Sequence, residues 1–260
     1  MENIEIFVTE DGSLGLYNKE LGEVYHSKYG AKSEAKEKFI NPAKVIDNHH
    51  LDILDICYGI GYNTKCAIEN FQFVNSIDCI EINKELVEKS PDFEYSEKIN
   101  NVIKQNLKNP DWIHFYVQDA REYVKNCNNT YDIIFHDGFA PHKQAVLWSE
   151  DFILILSKLL KPRGIYCTYN HSKPVLNALH KTGLIVGKTS VNSTVASFTK
   201  ELIENPLSDF EIEQLNTKSA ITYKDKNLNL THEEIIQQRS EEVIASDLKT
   251  LSGFLKLHRI

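Results

Sequence analysis

Three acids and one glycine turn stand where apolar runs end, and these are the residues whose types and spacing could do chemistry. The run Leu51 to Ile56 gives way at Cys57 to Tyr58-Gly59-Ile60-Gly61-Tyr62-Asn63, ahead of a helix-like segment. Glycine at a strand's carboxyl end lets the backbone pass close to a nucleotide-like ligand. Glu81 closes a second apolar run, Val74 to Ile80, twenty positions after Gly61. A carboxylate there accepts hydrogen bonds from both hydroxyls of a ribose. Asp119 follows His114-Phe115-Tyr116-Val117-Gln118, where it could accept from an adenine's exocyclic amine, cap a helix entered at Arg121, or do both. Turn and acids together read as an adenosine site, against the plainer reading of a tight turn in any α/β domain.

Two kinds of adenosine fit such a turn. The dinucleotide fingerprint wants a third glycine, where a helix dips toward its strand and points its N-terminus at a pyrophosphate. That glycine is missing, and Asn63 offers a side-chain amide instead, which suits the zwitterionic tail of S-adenosylmethionine better than two phosphates. The third acid, Asp137, ends the run Tyr131 to His136, and Gly138-Phe139-Ala140-Pro141 after it forces an irregular turn. An aromatic ring can stack on a base while a carboxylate contacts its polar substituent. On residues alone that reading stands level with another, in which Phe139 is core and Asp137 caps a turn.

The elements that must position these groups alternate. Strand-like runs fall near 51–57, 74–81, 112–118, 131–136 and 164–170, with helical segments after each. This implies a doubly wound parallel sheet. Leu184 to Gly187 and Thr194 to Phe198 leave no room for a helix between them and should pair antiparallel at an edge. Ahead of the sheet, residues 4–17 alternate around Asp11-Gly12-Ser13 as a β-hairpin, and Lys32 to Phe39 has helical composition. Ser90 to Asn109 is a polar, helix-prone insertion. Past Glu201 the chain turns acidic and helical. Thr231 with Glu234 predicts a capping box, and Ile235, Ile236, Val243, Ile244, Leu248, Leu251 and Leu255 form a stripe expected to pack on the sheet domain.

With 260 residues, 42% hydrophobic and 25% charged, the chain can bury one sizeable core with an appendage. No apolar run approaches the ~20 residues that span a bilayer. Met1-Glu2-Asn3-Ile4-Glu5 lacks a leader's basic start, so cytoplasmic residence without membrane attachment is expected. The five cysteines, Cys57, Cys66, Cys79, Cys127 and Cys167, lack paired zinc spacing, so neither disulfides nor metal is expected. A net charge of -8 disfavours a broad phosphate-binding surface, and any polyanion must meet a local basic patch.

Several motifs, in order, carry a resemblance. Asp137-Gly138-Phe139-Ala140-Pro141 with Lys143 and Trp148 resembles the DGFAP…K…W signature of the methyltransferase domain of the bacterial tRNA 5-methylaminomethyl-2-thiouridine biosynthesis protein family, MnmC. Gly59 to Asn63 is similar to that family's GxGxN turn. Asp11-Gly12-Ser13, Glu23-Val24-Tyr25-His26-Ser27, Leu159 to Gly164 and Thr168-Tyr169 resemble further family segments, and residues 5–199 are covered. The resemblance implies an α/β fold: a Rossmann-like seven-stranded S-adenosylmethionine-dependent methyltransferase sheet with an N-terminal β-hairpin extension (1–45) and a helical C-terminal extension (201–260) flanking residues 46–200. It implies methyl transfer to the 5-aminomethyl group of a tRNA wobble uridine, with tRNA as partner. Asp137 would be catalytic. Tyr25, Cys57, Gly59, Gly61, Tyr62, Asn63, Glu81, Asp119 and Ala120 would hold the cofactor, and Phe139, Pro141, Lys143 and Trp148 the substrate. Tyr25 or Phe139 would stack on the base. Bifunctional members add a flavin-dependent oxidase domain, of which this chain has no trace, so it resembles the stand-alone form.

Arg163 replaces a usual glycine, and Ser190-Val191-Asn192-Ser193 replaces a more basic element of the family. Lys28, Lys32, Lys36, Lys38, Lys143 and Lys173 remain candidate tRNA contacts, though scattered lysines more often form a solvated face. His26, His136 and His142 flank the site, with neutral packing or surface roles at least as fitting. Rival readings are an aminopropyltransferase of the spermidine-synthase kind, an NAD-binding oxidoreductase on the same sheet type, and a non-enzymatic scaffold binding a protein through the C-terminal stripe.

Overall fold

The computed structural model describes residues 3–257; residues 1, 2 and 258–260, the outer ends of the first and last expected units, lie outside the described residues. The alternating N-terminal residues form β1 (Ile4–Val8) and β2 (Leu14–Asn18), and a short β3 (Glu23–Val24) pairs with β2. The expected hairpin is therefore a three-stranded antiparallel sheet, whose third strand is too short to show a period of two. The expected helix over Lys32 to Phe39 starts as α1 (Ala31–Ala35), widens into a π turn (Lys36–Ile40) and ends in α2 (Asn41–Ala43).

Next come β4 (Leu51–Ile56), α3 (Tyr62–Asn70), β5 (Val74–Glu81), α4 (Lys84–Lys89), α5 (Glu97–Lys108), β6 (Ile113–Val117) and α6 (Ala120–Asn126). They are followed by β7 (Tyr131–His136), α7 (Glu150–Leu159), β8 (Leu160–Thr168), α8 (Lys173–Lys181), β9 (Ile185–Lys188) and β10 (Thr194–Ser197). The chain then enters α9 (Asp209–Gln214), α10 (His232–Ala245) and α11 (Leu251–Leu257). Seven strands pair in the order β6-β5-β4-β7-β8-β10-β9. All ladders from β6 to β8 are parallel, and β10 is antiparallel to both neighbours. The insertion over Ser90 to Asn109 breaks into a 3-10 turn and α5, and β8 begins at Leu160, earlier than the apolar run after Gly164 suggests.

Strand alternation sends neighbouring residues to opposite faces. Leu54, Ile134 and Tyr166 pack with Trp148, Phe152, Leu156 and Val175, while Ile53, Ile133 and Phe135 pack with Phe39, Ile40, Cys66 and Ile103. From β4 the chain winds outward through β5 and β6, then crosses back to β7. The order reverses between β4 and β7, and a crevice opens there at the strands' carboxyl ends.

Past the sheet, Thr231 and Glu234 form the expected capping box and Ile235 is fully buried. The rest of the stripe is not continuous. Helix α10 stops at Ala245, and Ile244 and Leu248 are 80% and 42% exposed. Ser246 and Thr250 take hydrogen bonds from the N–H groups of Leu248 and Gly253 (both 3.1 Å), local bonding that competes with helix continuation.

Candidate active site

At the end of β4 the backbone makes a strained turn. Cys57 takes a left-handed conformation (φ 67°), as do Gly59 (57°) and Gly61 (82°). For a non-glycine residue this costs about 1–3 kcal/mol. The N–H groups of Cys57 and Tyr58 both donate to the Ile80 carbonyl at 3.0 Å, which fixes the turn against β5. A Cβ on Gly61 would lie 2.4 Å from the Tyr58 ring, so only glycine fits. At Gly59 a Cβ would meet nothing nearer than 3.8 Å, because this glycine borders open space.

That space is a cavity of about 620 Å³, lined by Tyr25, Cys57, Gly59, Glu81, Asp119, Ala120, Asp137 and Phe139 among others. Glu81 reaches across from β5: Oε2 accepts from Gly59 N and Oε1 from Asn83 N, each at 2.9 Å. Burial raises its pKa, and the backbone donors oppose the rise. Asp119 caps α6 through Arg121 N (2.8 Å) and also takes the Arg121 guanidinium (Nη2 to Oδ2, 2.9 Å), so the capping and cavity-lining roles coexist. Burial pushes Asp119 up, but Arg121 outweighs it and holds the carboxyl below the usual range. Arg121 also donates to Asp225 (3.3 Å) and the Leu230 carbonyl (2.8 Å), which ties the segment before α10 to this wall.

Opposite stands Asp137, directly after β7. Its N–H donates to the Ile56 carbonyl (3.1 Å), and its Oδ2 accepts from Asn63 Nδ2 (2.9 Å). Oδ1 accepts no hydrogen bond among the described residues. Burial pushes its pKa well above the usual carboxylate range, and the nearby Glu34 charge adds to the rise against the Asn63 hydrogen bond. The Phe139 ring meets Tyr25 edge-on, with centroids 4.7 Å apart, so the two rings form one aromatic corner between the N-terminal sheet and the post-β7 loop.

Other expected site residues lie away from the cavity lining. Tyr62 is buried, its hydroxyl accepting from Leu14 N (3.0 Å) and its ring against His26, so it seats the N-terminal sheet. The Asn63 amide, expected to face a cofactor tail, is spent on Asp137. Trp148 is fully buried, stacked on His136 (4.1 Å), and its Nε1 donates to the Phe139 carbonyl (2.6 Å). It supports the loop from beneath rather than meeting a ligand. Pro141 is buried in the same loop. Lys143 donates to the Leu21 carbonyl (2.9 Å) and clasps the loop to the N-terminal sheet.

The lysine candidates divide. Lys38 pairs with Glu34 (2.6 Å), Lys32 with Glu69 (3.4 Å), and Lys173 donates to Gln214 (2.6 Å), whereas Lys28 and Lys36 are exposed. Burial pushes His26 down to about 4 and His136 to about 3, which keeps both rings neutral. His142 is exposed near Glu23 (3.5 Å).

Among the lining residues that sequence reasoning missed are Glu34, Tyr169 and Gln144. Tyr169 follows β8 and was open to discovery by the strand-end rule, and its hydroxyl donates to the Gly138 carbonyl (2.9 Å). Gln144 accepts from Phe139 N (3.1 Å) and shapes the same loop. Glu34 reads as half of an ordinary i,i+4 ion pair with Lys38, and no local signal separates it from a surface acid.

A family model described as S-adenosyl-L-methionine-dependent methyltransferase matches residues 83–202. The chain is 30% identical to an uncharacterized protein of Methanocaldococcus jannaschii, over 97% of this chain and 76% of that protein. It is 22% identical to the tRNA 5-methylaminomethyl-2-thiouridine biosynthesis bifunctional protein MnmC of Campylobacter jejuni over 92% of its own length, and spans 42% of that protein. Among solved structures, MNMC2 from Aquifex aeolicus matches with a TM-score of 0.80 at 27% identity, covering 93% of this chain and 84% of that one.

Proposed function

From the premise that the chain belongs to the S-adenosyl-L-methionine-dependent methyltransferase family, we propose that it N-methylates the 5-aminomethyl group of the wobble uridine in tRNA, forming 5-methylaminomethyl(-2-thio)uridine. The observation that carries this reading is Asp137, with one oxygen held by Asn63 and the other without a hydrogen-bond partner among the described residues, in the same cavity as the Tyr25–Phe139 corner. The likeness to MNMC2 and to the bifunctional protein supports the choice of substrate.

The residues present fit S-adenosylmethionine: Gly59 borders open space, Glu81 can still accept from ribose hydroxyls, and the acid lining suits a sulfonium cation. When bound, the cofactor supplies an electrophilic methyl group. Gly59, Glu81, Ala120 and the Asp119 wall would hold its adenosine part. Tyr25 and Phe139 would stack on the uracil ring, and Asn63 would aim Asp137 at the amine.

An alkylammonium with a pKa near 10.4 gives its proton to an ordinary carboxylate of pKa 3.9 only at a cost of roughly 9 kcal/mol. A carboxyl raised by burial narrows that gap, so Asp137 can accept the proton that blocks the amine's lone pair. In this reading residues 46–200 carry the chemistry, the described part of the N-terminal unit (3–45) closes the cavity, and the segment of the C-terminal unit before α10 braces the Asp119 wall. An acid-lined cleft would also receive a polyamine, the aminopropyltransferase alternative, for which the cofactor would be decarboxylated.

The test is direct. The purified chain, with S-adenosylmethionine and tRNA bearing 5-aminomethyluridine at the wobble position, should yield 5-methylaminomethyluridine on nucleoside mass analysis. Unmodified tRNA from protein that still binds S-adenosylhomocysteine refutes the reading. Aminopropyl transfer from decarboxylated S-adenosylmethionine to a polyamine would establish the alternative.

A further inference from the structure

Glu34 enters the cavity from α1, on the N-terminal side, whereas Asp137 enters from the end of β7. Two carboxylates from separate elements thus border one space. Glu34 is held firmly: Oε2 accepts from Ser27 N at 2.8 Å and Oε1 from Lys38 Nζ at 2.6 Å, and its side chain is 17% exposed. The Lys38 partner sits on the π turn, whose widened backbone follows α1 directly, and faces the Tyr169 ring at 5.9 Å. No protein hydrogen bond joins Glu34 to Asp137 among the described residues, so what couples them is charge across the cavity, where a ligand's polar group could lie.

We propose that Glu34 is the second carboxylate of the amine site: with Asp137 it receives the substrate's amine as an ammonium ion, and its charge steers the amine's proton onto Asp137. The inference rests on the amine-methylating reading above and adds a specificity residue to it. An ammonium bordered by Asp137 and the acid end of the Glu34–Lys38 pair is favoured over a neutral hydroxymethyl or amide group of similar size, because only the cation gains from both carboxylates. In the proton step an N–H bond breaks as an O–H bond forms on Asp137, and the freed lone pair is the one that would form the N–C bond as the methyl group's S–C bond breaks and its electron pair stays on the departing thioether sulfur.

The charged and titratable groups around Asp137 are Asp55 and Cys57 at the end of β4, Glu34 and Lys38 from α1 and its π turn, and Tyr169 after β8. Glu34 is the largest of the charge effects that raise Asp137, after burial itself, and Lys38 opposes it. His26, beside Glu34, is neutral. The sign is therefore fixed. Removing the Glu34 charge lowers the Asp137 pKa, and removing Lys38 raises it.

The experiment uses the full chain saturated with S-adenosylhomocysteine and follows the Asp137 carboxyl by ¹³C NMR against pH. Glu34→Gln should move the midpoint down by about one unit or more, and Lys38→Met should move it up. With aminomethyl-uridine tRNA, Glu34→Gln should lower the kcat/KM plateau about tenfold while its acid limb moves to lower pH. A structural lesion would lower the plateau without moving the limb. Glu34→Asp, which keeps the charge, should hold the midpoint near wild type and guards against a Gln variant that fails to fold. An unmoved midpoint in both Glu34→Gln and Lys38→Met, or an unmoved acid limb, overturns the proposal. Should wild-type protein leave this tRNA unmethylated, the function reading fails and the NMR midpoints still decide Glu34.

Discussion

Glu81 is the acid whose removal is easiest to price from the geometry. Its two oxygens accept from two different backbone donors, Gly59 N and Asn83 N, both at 2.9 Å. Glu81→Gln keeps the shape but has only one oxygen, so its NH₂ group must face one of those N–H donors. One charge-assisted hydrogen bond is lost and a buried donor is left unsatisfied, at about 1.5–3 kcal/mol. Because the Gly59 side of the pair also fixes the strained turn over the cavity, much of this loss should appear in binding. At 1.4 kcal/mol per decade, S-adenosylhomocysteine affinity should fall about 10- to 150-fold. Isothermal titration of wild type and variant measures it, with circular dichroism checking that the fold persists. Affinity within about twofold of wild type, in a folded variant, would refute the assignment of Glu81 to the ribose side.

Three further outcomes follow from named contacts. Asp137→Asn, which retains the Asn63 contact through its oxygen, should leave S-adenosylhomocysteine binding within about twofold and cut methyl transfer by roughly 10²–10⁴-fold; a variant with full turnover removes Asp137 from the mechanism. Asp225→Ala removes the fully buried carboxylate from Arg121, which keeps Asp119, and leaves the Asn229 and Leu230 N–H groups without that acceptor, so urea unfolding should show a loss of about 1–3 kcal/mol, a loss under about 0.5 kcal/mol arguing against the brace. Asp55, buried with Oδ1 lacking a partner among the described residues and Oδ2 accepting from Thr64 Oγ1 (2.7 Å), is pushed up to about 7 by burial. A raised carboxyl contributes stability that is present below its unfolded pKa of about 3.9 and is lost as pH rises through the folded value. Asp55→Asn escapes that loss, so its unfolding free energy relative to wild type should rise between pH 4 and 8; a pH-independent difference would contradict the shift.

The proposed adenosine half of the site was legible because the strand-end rule needs only runs and their last residues. Gly59, Glu81, Asp119 and Asp137 all end or follow strands, and all line one cavity. The signature around Phe139 was legible as a unit but not in its division of labour. Trp148 and Lys143 hold the loop's shape through the Phe139 and Leu21 carbonyls, and side chain-to-backbone bonds across such separations leave no local pattern. Tyr62 likewise adjoins the turn in sequence but faces the other way, since α3 carries it toward β2. The C-terminal stripe misled because apolar spacing persists across residues 246–250, where the chain leaves α10 at Ser246, whose side chain accepts from Leu248 N–H, and enters α11 at Thr250, whose side chain accepts from Gly253 N–H.

Most of the side of the cavity that the proposal gives to the substrate is supplied from outside the sheet. A doubly wound sheet provides a crevice at its switch point, bordered by the ends of β4, β5 and β7, and such a crevice is open to solvent on its far side. Here the N-terminal segment covers that side with Tyr25 and His26 after β3 and Glu34 on α1, and its sheet is fastened by Tyr62 from α3 and Lys143 from the post-β7 loop. On the opposite flank Arg121–Asp225 and the Ala145 N–H, which donates to His232 Nδ1 (3.0 Å), anchor the C-terminal segment to both the Asp119 wall and the Asp137 loop. Desolvation is what raises Asp137, and a covered crevice is what desolvates it. The appendages therefore set the basicity of Asp137, the acid to which the proposed chemistry gives the amine's proton.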